Sequence, residues 1–414
     1  MIPGSTEQED NRTMTTDHEP ATVAGTDPVD AATEAPTSAP EFDERPFLEA
    51  SSEARSRYGR FNLAVIGATG VGKSSLVNAV FGRDLAKVGK GLPVSKGAHY
   101  YNDDSLGIWD LEGFELGSKS PREHLRENLA LISNRPPIEQ ISVVWYCVNS
   151  HADRLQQSEI DVIQELDAAG LPVVLVLTKV DWTKHPITGT RTVSADLQGF
   201  CEWLDDPLDQ NEMPITIPFH RYLLTSTRDR NGKGSGHGLG ELVAETLTLS
   251  PEDGKDAFRI AQRLNLPWKR EMARGVVTAA STASAGAAAV PLLIADAAIL
   301  APIQLGMMGR IATIYDLELK TMLSAGALAQ ICVQLAGKAL ASSFLKLIPG
   351  AGNVINAGVA AALTAAMGEG WIRLCEQVHT GKLDLDKVNQ SWGDYVPGFL
   401  DVFRKMAEQR IAKP

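Results

Sequence analysis

Gly67-Ala68-Thr69-Gly70-Val71-Gly72-Lys73-Ser74 places three glycines, a lysine and a hydroxyl at the spacing GxxxxGK[ST]. Glycines let successive backbone N–H groups turn inward around phosphate oxygens, and a helix start behind them adds partial positive charge. Gly67 through Ser75 is therefore the expected phosphate-binding set. Lys73 would reach the β- and γ-phosphates, and the Ser74 hydroxyl would coordinate Mg²⁺. The pattern carries this chemistry only between a strand and a helix. Phe61–Ile66 is a short apolar run directly before it, and Ser75–Phe81 continues with helical texture.

Further motifs follow in order. Asp110-Leu-Glu-Gly113 fits DxxG, 43 residues after Gly67 and behind a strand-like run, Ser105–Trp109. Asp110 would hold Mg²⁺, mostly through water, and the Gly113 N–H would sense a γ-phosphate. Thr178-Lys-Val-Asp181 fits [NT]KxD at the end of a third apolar run. A carboxylate accepts two hydrogen bonds from guanine N1–H and N2–H₂, and adenine offers no such pair. Asp181 is thus the expected specificity residue, with the Lys179 stem along the base and Thr178 beside it. A nucleotide-binding enzyme of the ATP-using kind is discriminated by the same carboxylate. Thr225-Ser226 stands where a backbone N–H meets guanine O6, which makes Ser226 the fourth guanine candidate. Within Pro93-Val-Ser95-Lys-Gly97, Ser95 is the candidate to cap the metal, against the reading of an ordinary loop serine.

The elements that must hold these residues are legible. Phe61–Ile66, Ile141–Val148 and Val173–Leu177 are wholly apolar. Between the last two, Ile160, Ile163 and Leu166 recur at helical spacing and Gly170 suits the helix end. Strand, helix and strand with apolar strands mean a parallel sheet covered on both faces.

The flanks differ from this core. Residues 1–45 hold eleven acidic and two basic side chains, −9 of the total −12. They are rich in Thr, Pro, Ala and Ser and are expected to be a disordered acidic tail reaching about residue 50, either an interaction segment or a plain solvated spacer. The acidic balance of the 414 residues (39 Lys+Arg, 51 Asp+Glu) argues against direct nucleic-acid binding. Four cysteines without CxxC spacing suit a reducing cytosol rather than a zinc ribbon or disulfide framework. The first residues, Met1–Asp10, have no basic region or apolar run, so no secretory signal is expected.

Taken together, Asn62–Asn78, Trp109–Glu115, Leu177–Asp181 and Gly238–Leu242 resemble a translation-factor-class GTPase of the Era/TrmE-like branch, over about residues 58–250. The resemblance implies an α/β P-loop GTPase fold with a mixed, mostly parallel six-stranded sheet. It implies GTP and Mg²⁺ as ligands, with slow GTP hydrolysis. Phe114 stands where Ras-like enzymes have a water-orienting Gln, so a low intrinsic rate or outside help is expected. Gly70 replaces the phosphate-loop Asn of potassium-activated relatives. No general base is identifiable. G domains of this branch sometimes dimerise across the nucleotide, which could replace the missing group.

From about residue 254 the chain reads as helices, and residues 276–368 contain only seven charged residues in 93. Val290–Asp296, Pro302–Gln304 and Leu345–Asn356 make residues 268–380 resemble a YcjF-type bacterial helical domain of unknown function, which implies a membrane connection but no catalysis. Val276–Ala295 and Leu347–Gly368 are uncharged over 20 and 22 residues, long enough to span a bilayer. Their Ala, Gly, Pro and Asn content makes transfer into lipid marginal. Gly306 and Gly309 suit close helix contacts, Asp296 needs a partner that Gln304 could be, and Trp371 with Arg373 suits an interface anchor or a surface helix end. Residues 381–414 read as an amphipathic tail. Two outcomes stay open. One is a GTP-dependent switch at the cytoplasmic face of the inner membrane, with a membrane or membrane-protein partner. The other is a soluble GTP-binding scaffold or assembly factor, near ribosomes like some relatives, whose helical bundle binds a protein.

Overall fold

A computed structural model describes residues 43–82, 92–95, 98–111, 120–184, 191–228, 236–288, 296–317 and 353–383. Helix α1, Arg45–Tyr58, comes first, with Pro46 in its first turn and Gly59 (φ 69°) at its end. It buries Phe47, Ala50, Ser51 and Ala54, one stripe at helical spacing. The acidic tail expected to reach residue 50 therefore overlaps a folded helix. The apolar stripe of Phe47, Ala50 and Ala54 has a partner surface to bury against, which composition alone does not reveal.

The chain then alternates β1 (Phe61–Ile66), α2 (Lys73–Phe81), β2 (Leu92–Ser95), β3 (Ala98–Asn102), β4 (Leu106–Leu111), α3 (Pro121–Ser133), β5 (Val143–Asn149), α4 (Gln157–Ala168) and β6 (Val173–Thr178). A small hairpin, β7 (Thr183–Lys184) with β8 (Arg191–Thr192), precedes α5 (Ala195–Asp205), β9 (Arg221–Leu224) and α6 (Leu239–Leu249). The main sheet has the order β2-β3-β4-β1-β5-β6-β9. β3 runs antiparallel to its neighbours and the strands from β4 to β9 are parallel. The expected mixed sheet of six strands is present, with Leu92–Ser95 added as a seventh at its edge.

Alternation along the strands feeds two cores. Ala64 and Ile66 of β1 join Leu125, Ile163, Leu166 and Phe200 beneath α3, α4 and α5. Leu63 and Val65 join Leu76, Val80, Leu242 and Phe258 on the other face. A strand buried on both sides must be apolar at every position, which is why β1 and β6 are fully buried.

Helices α7 (Lys255–Ala261), α8 (Leu266–Ala288), α9 (Asp296–Ile314) and α10 (Asn353–His379) follow. α8, α9 and α10 share a third core with α1, built on Phe47, Val277, Met308, Ile311, Trp371 and Ile372. Small residues permit the close approach. A Cβ on Gly309 would stand 2.3 Å from the Phe47 carbonyl oxygen of α1, and one on Gly368 would stand 2.5 Å from Val277. Ser51 and Thr313 hydrogen bond at 2.9 Å across the α1–α9 seam. Gln304 is bound to Thr364 at 3.3 Å, and the Thr364 hydroxyl bonds Ser284 at 2.9 Å, which links α9, α10 and α8. Trp371 is 4% exposed and donates to the Met308 carbonyl at 2.9 Å. It is a core residue and not an interface anchor, whereas Arg373 is exposed.

No helix of the described residues is long and apolar enough to cross a membrane. Residues 289–295 and 318–352, which hold parts of both uncharged stretches, lie outside the described residues, as does the amphipathic tail from residue 384.

Candidate functional site

The candidate phosphate loop connects β1 to α2. Gly67, Gly70 and Gly72 have φ of 145°, 78° and 110°, a region that L side chains avoid. Gly67 is fixed twice, because a Cβ there would meet the Cys147 carbonyl oxygen at 2.2 Å. The first α2 bond from this end runs from the Leu76 N–H to the Gly72 carbonyl at 3.0 Å, so the earlier amides of the turn face the loop. Ser74 and Ser75 are exposed on that turn, and Ala68, Thr69 and Gly70 are exposed in the loop. Lys73 is buried, and its Nζ donates to the Gly67 carbonyl at 2.8 Å and to that of Ala68 at 3.4 Å. The ammonium is thus held across the mouth of the loop.

The [NT]KxD residues stand against this loop because β5 and β6 end together, with Asn149 opposite Thr178. Thr178 is buried, and its Oγ1 donates to the Val71 carbonyl at 2.6 Å and lies 3.1 Å from that of Val148. Its hydroxyl serves the loop, not a base. Lys179 takes φ 57° and donates from Nζ to the Gly70 carbonyl at 2.6 Å. Val71, Gly72, Ser75, Leu76, Thr178 and Lys179 line a cavity of about 270 Å³. Thr225, Thr227 and Arg228 complete its wall.

Asp181 is exposed beyond that cavity, and the His151 Nε2 lies 3.9 Å from its carboxylate. Sequence spacing gave no sign of His151, which reaches Asp181 only through the adjacency of the β5 and β6 ends. The Ser226 N–H, expected to face guanine O6, donates to the His237 carbonyl at 3.0 Å within an antiparallel bridge. A base donor would have to come from a neighbour on the cavity wall, and since the Thr225 N–H is bound to the Leu177 carbonyl at 2.7 Å, Thr227 and Arg228 are left.

Asp110, the last residue but one of β4, is in register with Val65 of β1 and His99 of β3. Asp110 and Lys73 both act on the buried Cys147 thiol. Burial pushes that thiol up to about 12, with Lys73 lowering it and Asp110 raising it. Ser95 lies in β2 opposite Ala98, which is itself opposite Leu111, so Ser95 and Asp110 belong to the same end of the β2-β3-β4 meander. Gly113 and Phe114 lie outside the described residues. Ser74, Ser95 and Asp110 are all hard oxygen donors, which suits Mg²⁺ completed by phosphate oxygens and water. No cluster of three or more His, Cys, Asp or Glu that could hold a metal by itself occurs among the described residues.

Residues 62–179 match the family model of the 50S ribosome-binding GTPase, and residues 253–396 match a domain of unknown function, DUF697. A probable GTP-binding protein EngB of Gluconobacter oxydans is 31% identical over 131 residues, 30% of this chain and 56% of that protein. GTPase Der of Staphylococcus epidermidis is 25% identical over 181 residues, 37% of this chain and 40% of Der. The chain thus spans about half the length of the curated relatives it matches. Among solved structures, a probable GTP-binding protein engB has 15% identity and a TM-score of 0.30, covering 45% of this chain and 97% of its own. Toc33 from Arabidopsis thaliana in complex with Mg²⁺ and GMPPNP has 16% identity and a TM-score of 0.30, covering 50% and 96%. These relatives are EngB and Der proteins and not specifically Era or TrmE, so the narrower branch gives way to a broader likeness, to a P-loop GTPase G domain over residues 62–179 and to a DUF697 domain over residues 253–396.

Proposed function

We propose that the protein is a guanine-nucleotide switch that binds GTP with Mg²⁺, hydrolyses it slowly, and couples its nucleotide state to the helical module of α1 and α8–α10. The observation that carries this reading is the pair of bonds from Thr178 and Lys179 to the phosphate-loop carbonyls of Val71 and Gly70. They support it because Val71, Gly72, Thr178 and Lys179, from the two candidate motifs, line one cavity. In this reading the loop amides from Gly67 to Ser75 and the Gly113 N–H hold phosphate oxygens, and Lys73 neutralises the β- and γ-phosphates. Asp181 accepts from guanine N1–H and N2–H₂ while the Lys179 stem covers the base. Ser74, Ser95 and Asp110 would hold Mg²⁺, which when bound offsets charge building on the transferred phosphoryl group. Phe114 cannot polarise water, so the intrinsic rate should be no higher than the ~10⁻⁴ s⁻¹ of unassisted small GTPases. Pairing of two G domains across the nucleotide would supply the missing group.

Titration with fluorescent GDP and a GTP analogue tests the core of this reading. Wild type should bind both in a Mg²⁺-dependent way, and Lys73→Ala should not. Asp181→Asn should shift preference from guanine toward xanthine nucleotides. An unchanged GTP preference in that variant would refute the base assignment.

The helical module has two readings. Attachment to the cytoplasmic face of a membrane rests on the uncharged stretches 276–295 and 347–368. A packed effector that docks a protein partner is favoured by the buried contacts of Gly309, Trp371 and the Gln304–Thr364–Ser284 chain. Carbonate washing of membrane fractions in the GTP- and GDP-loaded states separates them. Retention in the pellet supports attachment, and release in both states supports the packed effector.

A further inference from the structure

The meander β2-β3-β4 has two ends with different neighbours. One end carries Ser95 and Asp110, the metal-site candidates on its outer strands. The other is the β3–β4 turn, Asp103–Ser105, about 17 Å away along the five residues of β3. The turn is stiff. The Asp103 Oδ1 accepts the Ser105 and Leu106 N–H groups at 3.1 and 3.0 Å, and the Arg60 Nε donates to the Asp103 carbonyl at 2.8 Å.

This turn is docked on the helical module. Arg55 of α1 forms an ion pair with Asp104 and donates from Nη2 to the Leu317 carbonyl, just past α9, at 3.1 Å. The Ser105 hydroxyl meets the Asp316 carboxylate at 3.4 Å. Arg55, Tyr58, Asp104, Ile260, Thr313 and Asp316 leave only about 10 Å³ of free space between them. The phosphate-loop helix has its own separate attachment. The Arg263 N–H donates to the Val80 carbonyl at 2.9 Å near the end of α2, and the Arg263 side chain lies over Gly82. The meander turn thus contacts the module directly, while the nucleotide-holding helix is attached to Arg263 in the segment leading into α8.

We propose that the docked β3–β4 turn is the contact through which the helical module reads the nucleotide state, with Arg55 and Asp316 as positioning residues. The inference rests on the switch reading above. A paired strand transmits an axial displacement because its ladder fixes register. Movement of the Ser95 and Asp110 end, with α2 held by Arg263, shifts the turn against α1 and α9. The docked arrangement then fits one nucleotide state better than the other. Coupling of this kind is reciprocal: if the nucleotide biases docking, then docking biases the nucleotide.

The test uses the full chain and measures Kd for GDP and for GMPPNP in wild type, Arg55→Ala, Asp104→Ala and the double variant. Melting curves control for folding. Asp104 is 67% exposed in its side chain and tolerates replacement even where Arg55→Ala does not fold. Ser105→Ala is the second variant on the same turn. The expected result is a change of at least about fivefold in the ratio of the two Kd values, the lower range of measured couplings, with the double variant no further changed than the singles. A ratio that stays within about twofold of wild type in Asp104→Ala and Ser105→Ala overturns the inference while leaving nucleotide binding intact. Failure of wild type to bind either nucleotide overturns the switch reading itself and this inference with it.

Discussion

Gly309→Ala tests whether the segment ahead of the G domain belongs to the helical module. Helix propensity alone favours this substitution by about 1 kcal/mol, because alanine loses less backbone entropy than glycine. The packing opposes it. The new Cβ would lie 2.3 Å from the Phe47 carbonyl oxygen and 3.1 Å from its carbon, against an ordinary carbon–oxygen contact of about 3.3 Å. The neighbour is backbone, so no side chain can swing aside, and α1 must retreat by about 1 Å. Such a retreat disturbs the Ser51–Thr313 bond and the seat of Phe47, which is 1% exposed. Overpacking of this kind costs about 1–3 kcal/mol, which exceeds the propensity gain. The net expectation is a loss of up to roughly 2 kcal/mol, read as a fall of up to a few degrees in melting temperature. Gly275→Ala is the control, since Gly275 lies within α8 with nothing within 4 Å of its added Cβ, and there the propensity term should act alone and raise stability. Urea and thermal melts of both variants decide the matter. If Gly309→Ala stabilises the protein as much as Gly275→Ala does, α1 does not lie on α9 and the third core is wrongly composed.

Further outcomes follow from the site and its supports. Thr178→Val removes the donor to the Val71 carbonyl and should cost about 1–3 kcal/mol while weakening GDP affinity, as followed by melting and fluorescent titration. Gly67→Ala, at φ 145° and against the Cys147 carbonyl, should abolish nucleotide binding in the same titration. The Glu165 carboxyl is held down at about 2 by hydrogen bonds from Arg126 and Arg122, so its stabilisation is present above the ordinary carboxylate range and is lost as pH falls through about 2. Glu165→Gln should therefore lower stability at pH 7 by roughly 1–2 kcal/mol, after discounting for the exposed arginines, and the difference from wild type should shrink in acid. A difference that grows on acidification would refute the assignment of the α3–α4 clamp to this carboxylate.

The G domain was readable because its chemistry and its geometry share one local code. The loop between β1 and α2 takes φ values that only glycine adopts easily, so Gly67, Gly70 and Gly72 mark its conformation, and the fully buried strands around it must be continuously apolar. Contacts set by distant segments left no such code. Ser226 has the expected residue type at the expected place, yet its N–H is taken by the carbonyl of His237, eleven residues on in the chain. His151 stands beside Asp181 because two strands end level, a fact of register. The tail boundary was misplaced because charge composition averages over a window, whereas Phe47, Ala50 and Ala54 act through spacing and need α9 to act at all. Trp371 reads equally as an anchor or a core residue until the Met308 carbonyl is found at its indole N–H.

The order of elements has a mechanical consequence. α1 precedes the G domain and α8–α10 follow it, yet all four helices share one core, so the G domain is inserted between two parts of the module. A domain joined to its neighbour by one linker can pivot freely, but one held at both of its ends has its orientation constrained. Lys269 reinforces the second end. It is fully buried, and its ammonium donates to the Ile260 carbonyl in the last turn of α7 and to the Ile314 carbonyl at the end of α9 at 3.1 Å. Helix C-termini carry partial negative charge, so one cation between two of them draws them together where two carbonyl ends would otherwise repel. α7 in turn packs on the sheet through Phe258, whose ring stands edge-on to Phe61 at 4.7 Å. The side of the G domain that carries α7 is thereby tied to the module through a buried charge, which is costly to break once its partners are desolvated. The turn at Asp103–Ser105 is held by an exposed carboxylate and a serine hydroxyl instead, contacts cheap enough to exchange. A rigid joint beside a labile one is the arrangement in which a small change at Ser95 and Asp110 moves one defined surface and leaves the remainder of the assembly in place.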